Sequence, residues 1–249
     1  SNLFSRMQYA LAKVVYLLDK REDANLQTLY SIEVLLYRLL EHHGNINDTK
    51  VIKEIMSNPE CLMEIIDKTY LSSDENERAV EFEQVKNDNS YALLGWHIFY
   101  TLRQTPFVDS NNTIDEVALN NYIDQLQTLG NAKHKIKGVN TVIGELLGNY
   151  PETEDYPSIP ICDIIERLNN KEVNNGFRTR LYNKRGVTVR PAYEGGTLEK
   201  NEADKYKKYA DKIRYTHPIV CSIFDDLSRD YYQIAKNEDI RVKIEKMEF

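Results

Sequence analysis

The chain has 249 residues, 41% of them apolar and 29% charged, and a formal net charge of −7. That length and balance support a folded core without staples, in one large domain or two intimate ones, and no run approaches the ~18 apolar residues of a membrane span. Three scattered cysteines, Cys61, Cys162 and Cys221, argue against a disulfide framework; with no signal peptide at the start, they imply buried thiols in a cytoplasmic setting.

Ser1-Asn2 reads as a cleavage scar followed at once by helix, so the chain is expected to be a fragment of a longer polypeptide. Leu3, Met7, Ala10, Leu11, Val14, Leu17 and Leu18 recur at three- and four-residue steps and predict an amphipathic first helix. A second is predicted from about Leu26 to His43, with Leu29, Ile32, Leu36, Leu39 and Leu40 inward and Gly44 as its stop. Val51, Ile52, Ile55 and Met56 predict a short third. Asn58-Pro59 starts a fourth, because proline at the first helical position gives up only an amide that was unpaired anyway. Residues 72–89 are polar and acid-rich and read as a loop or an exposed helical turn.

A strongly apolar helix over 91–102 follows, holding the only tryptophan, Trp96. Residues 108–112 form the best linker, dividing an N-terminal helical subdomain, 1–107, from a C-terminal one, 113–249, packed against it or continuous with it. Thr113-Ile114-Asp115-Glu116 reads as a capping box for a helix that buries Val117, Leu119, Tyr122, Ile123, Leu126 and Leu129. Shorter helices are predicted over 139–147 and 161–168. Another spans 197–213, with Ala203, Tyr206, Tyr209, Ala210 and Ile213 on one face. His217-Pro218 breaks it and starts the next, which carries Val220, Ile223, Phe224, Leu227, Tyr231 and Ile234, and a charged terminal helix closes the chain. Only residues 186–190 alternate like a strand, and one short strand cannot pair with itself. The expected fold is all-α: an irregular helical bundle or α-solenoid of packed helix pairs, with one short extended crossover near 185–190.

Chemistry is sparse. The adjacent His42 and His43 diverge by about 100° on a helix, and neither HExxH nor CxxC occurs, so no metal is expected and the histidines read as structural. GxSxG, GxxxxGK[ST] and GxGxxG are absent, and no cofactor is implied. Acid pairs such as Asp225-Asp226 read as solvated helix faces. Arg38 and His43 have the spacing of the Arg-x4-His element of the HEPN-type helical ribonucleases. That resemblance implies a pair, brought together across a dimer, which activates a 2′-hydroxyl and steadies a phosphate. Against it stands an ordinary surface arginine and a helix-terminal histidine favoured by the dipole.

The sequence FRTRLYNKRGVTVRPAYEGG, 177–196, carries five basic side chains before its first acid. Arg178, Arg180, Lys184, Arg185 and Arg190 could grip phosphates, with Tyr182 or Tyr193 stacking on bases. They could also dock a protein partner, or neutralise surrounding acids in a packed crossover. The last is favoured, because a net negative chain lacks the broad basic footprint of a nucleic-acid binder.

LYNKRGVTVRPAYEGGTLEKNEADKYKKYADKI (181–213), His217-Pro218 and Asp230-Tyr231-Tyr232 resemble the C-terminal helical region of large uncharacterised bacterial proteins. Residues 59–70 and 111–121, with Thr113-Ile114-Asp115, are similar to the same group. The resemblance covers the chain from roughly Leu29 onward, with Tyr209 standing where a tryptophan is expected. It implies a helical module of a longer, defence-type multidomain protein, and carries over no catalytic residue. Together these observations predict a non-catalytic interaction or scaffold module, whose partner is another protein or other domains of the same longer chain, with no membrane and nucleic acid as an alternative.

Overall fold

A computed structural model of the chain describes residues 2–21, 23–186 and 195–245. Among them are thirteen α-helices and no sheet, so the fold is all-α, as the periodicity predicts. The helices form two compact units: residues 1–108 with 117–139, and 109–116 with 140–249. None of the described helices is long and apolar enough to cross a membrane.

The first unit contains α1 (Asn2–Asp19), α2 (Leu26–Leu35), α3 (Tyr37–His43), a 3-10 turn (Ile46–Asp48), α4 (Lys50–Ser57), α5 (Pro59–Thr69), α6 (Glu75–Asn87), α7 (Ser90–Thr101) and nearly all of α8 (Glu116–Ala132). The predicted second helix is thus two. Leu36, at φ −98° and ψ 10°, pivots the chain while its amide still reaches the Ile32 carbonyl. The pivot lets α3 turn Tyr37 and Leu40 fully inward. Gly44 ends α3 in an extended conformation, not a left-handed one. A side chain is excluded there by the Tyr16 ring, whose atoms would come within 2.5 Å of a Cβ.

Residues 75–87, within the segment read as loop or exposed turn, form a full helix that buries none of its residues. Polar contacts hold it. The Ser72 amide and hydroxyl donate to Glu81 and Glu77 at 2.6 and 2.7 Å, and the buried Lys135 ammonium donates to Glu81 at 2.6 Å.

α9 (Ile136–Gly148) begins in the first unit and continues in the second, which also contains α10 (Ile159–Leu168), α11 (Lys171–Lys184), α12 (Thr197–Ile213) and α13 (Pro218–Glu245). The predicted helix after Pro218 and the charged terminal helix are one continuous α13. It pairs antiparallel with α12, tied by Lys200 to Asp239 at one end and Arg214 to Asp225 at the other. Phe177, Tyr206, Phe224 and Tyr231 are buried between them and α11. The Tyr206 ring stacks on Tyr231 at 5.8 Å and on Phe224 at 6.0 Å.

Two local expectations fail for identifiable reasons. Thr113 does not cap α8, because its carbonyl accepts from the Asp109 amide at 3.0 Å and its amide donates to the Asp109 carboxylate at 2.8 Å. A turn closed on Asp109 therefore takes the place of the capping box. α8 starts at Glu116, and Val117 in its first turn is 72% exposed, not buried. The extended crossover predicted near 185–190 lies, from Val187 on, outside the described residues.

Candidate functional site

Arg38 and His43 lie on α3 about 140° apart around the axis. Arg38 donates to the Leu93 carbonyl on α7 at 3.3 Å, while the His43 ring meets Tyr9 on α1 edge-on at 5.9 Å. Within one chain the two side chains therefore address different neighbours. Between them Glu41 accepts from His97 at 2.6 Å. His217 is held from both ring nitrogens, by Thr216 at 2.8 Å and Asp163 at 2.9 Å. Among the described residues, no three His, Cys, Asp or Glu side chains are grouped to hold a metal. The thiols are poor nucleophiles as placed: burial pushes Cys61 up to about 11 and Cys162 up to about 12.

The basic segment is engaged inside the second unit. Arg178 pairs with Asp230 of α13, and Lys184 donates to the Tyr150 carbonyl at 2.5 Å. Arg180 is buried, its Cβ close against Gly148 of α9. Arg185 donates to Glu199 at 2.8 Å, a carboxylate whose side chain is 1% exposed, and lies over the Tyr231 ring at 5.5 Å. Tyr182 stacks on the other partner of that cluster, 5.4 Å from Tyr231. These cations neutralise acids and satisfy carbonyls of their own unit. Arg190 and Tyr193 lie outside the described residues.

The surface that stands out is on the first unit. A strongly apolar helix is ordinarily buried on most sides, yet α7 (SYALLGWHIFYT) buries only Gly95, Ile98 and Phe99. Tyr91, Leu93, Trp96 and Tyr100 remain exposed on it, as does Leu35 at the end of α2. Between α2, α5 and α7 runs a cleft of about 200 Å³, with Tyr30, Ile65 and Ile98 in its floor. Lys68, beside Glu64 in its lining, lies over the Tyr91 ring at 5.2 Å. Gly95 lets α7 come close to α5, since a Cβ there would sit 1.8 Å from the Thr69 hydroxyl.

These residues were not singled out as a site from sequence. The available signal was α7 itself, a twelve-residue run whose few polar side chains, Ser90, His97 and Thr101, share one narrow face. Comparison with protein-family models, with curated proteins and with solved structures yields no match to this chain.

Proposed function

We propose that the chain is a non-catalytic helical module that binds a partner protein through the α2–α5–α7 cleft. The observation that carries this is the contiguous apolar surface of Leu35, Tyr91 and the cleft floor. Exposed apolar patches of this kind, rimmed by charge, mark interaction sites. The cleft is smaller than the roughly 300–1,000 Å³ of small-molecule pockets, so it suits one or two apolar anchors of an amphipathic helix. Glu64 and Lys68 in its lining offer one charge of each sign for orienting that helix. The partner is a separate protein or another domain of the same longer chain.

Leu35→Asp and Tyr91→Asp test the proposal, because both side chains are exposed and both line the cleft. A partner retained by the parent protein should be lost from both variants and kept by Tyr215→Asp, in the second unit. Undiminished retention by the first two variants would contradict the proposal.

A further inference from the structure

The first helix carries a second apolar surface. Ala12 and Val15 are the buried apolar residues of α1, which contacts α2 and α3. Phe4, Met7, Leu11, Val14 and Leu18 are exposed, at steps of three, four, three and four residues. Such alternation averages 3.5 residues, the spacing of a and d positions in a coiled coil, and keeps all five within an arc of about 80°. Leu3 and Leu17 widen the band along one flank. The seven side chains are between 36% and 74% exposed. Together they present on the order of 800 Å², which is what each partner of a standard interface gives up.

We infer that α1 pairs with α1 of a second copy of this chain, antiparallel about a two-fold axis level with Tyr9. A two-fold interface must be complementary to itself, and this helix meets that condition in three ways. Antiparallel heptads set a positions against d positions, which places Met7 against Leu11 and Phe4 against Val14, a larger side chain against a smaller one at the outer layer. Gln8, Ala10, Val15 and Leu17, which flank the seam, carry no charge that would repel a like copy. Arg6 and Lys13 lie off the seam, and the antiparallel order brings neither against its own equivalent. The two helix dipoles also oppose, which favours this order. None of this depends on the α7 cleft, so the two surfaces can fail separately.

Light scattering during size-exclusion chromatography, at about 1–100 µM protein, should show the mass rising from 29.1 kDa toward twice that value. Leu11→Lys and Val14→Lys should stay at 29.1 kDa with helical circular dichroism unchanged. Mild oxidation should link Phe4→Cys mixed with Val14→Cys above the background of the parent, and should link neither variant alone. That arm still reads the pairing if a lysine variant loses its helicity. A parent monomeric throughout, a dimer that survives both lysine substitutions, or linking in Phe4→Cys alone would each overturn the inference. Monomer that floats with anionic phospholipid vesicles, and ceases to when Leu11 is lysine, would assign the band to lipid and overturn it equally.

Discussion

Glu33 shows how one buried group ties local structure to solution conditions. Its carboxylate accepts from the Val51 amide at 2.7 Å, and Asp19 accepts from the Lys50 amide at 3.0 Å. Two acids from α1 and α2 therefore cap α4, a task Thr49 does not perform, its hydroxyl being bonded to the Ile46 carbonyl. Burial pushes the Glu33 carboxyl from its ordinary 4.5 up to about 7; the Val51 amide opposes this and Asp19 reinforces it. A raised folded-state value means that the native chain binds the proton more tightly than the unfolded one. The associated stability is complete below about 4.5 and is lost as pH rises through about 7. Urea unfolding should show the first unit weaker at about pH 8 than at about pH 5, and Glu33→Gln should flatten that difference. A parent whose stability is level across this window would contradict the assignment.

Arg185 is a second case, in which structural and binding roles make opposite forecasts. Removing it takes a cationic partner from a carboxylate whose side chain is 1% exposed. Arg185→Ala should therefore lower stability by about 3 kcal/mol, the low end for breaking a buried pair. If the arginine served only to hold phosphates, the unfolding midpoint would not move. Its charge was plain in the sequence, but its partner was not, because Glu199 is fourteen residues away on another helix and looked like any other acid of a polar face.

At the scale of helices, close approach is as important as apolar stripes. α9 and α11 meet backbone to backbone: a Cβ on Gly144 would lie 2.0 Å from the Val173 carbonyl oxygen, and one on Gly176 would lie 2.1 Å from that of Thr141. Neither oxygen can swing aside as a side chain can. Gly144→Ala should cost about 1–3 kcal/mol through overpacking, read as a lower denaturant midpoint with α9 and α11 still helical; an unchanged midpoint would show that the helices separate freely. Periodicity made most helices legible, including the limits of α12 and the start of α13 at Pro218. It passed over α6 because that helix has no apolar stripe and is attached by Glu77 and Glu81. It found α1 as a helix, but the strong stripe faces outward and two smaller residues, Ala12 and Val15, make the internal contact.

Most of the exposed large apolar side chains among the described residues belong to the first unit, sixteen of the twenty-two, against six in the second. The cations that drew attention in the sequence belong to the second, where acids and carbonyls of the same unit hold them. Sequence alone could count arginines and leucines but could not say which had neighbours, since that depends on helices far apart in the chain. The most direct measurement is photocrosslinking in cells, with a photoreactive residue placed at Leu35 beside the cleft or at Tyr215 in the second unit. A discrete adduct with one protein should form from Leu35 and not from Tyr215. Absence of an adduct at Leu35, or the same adducts from both positions, would contradict a recognition surface on α2, α5 and α7.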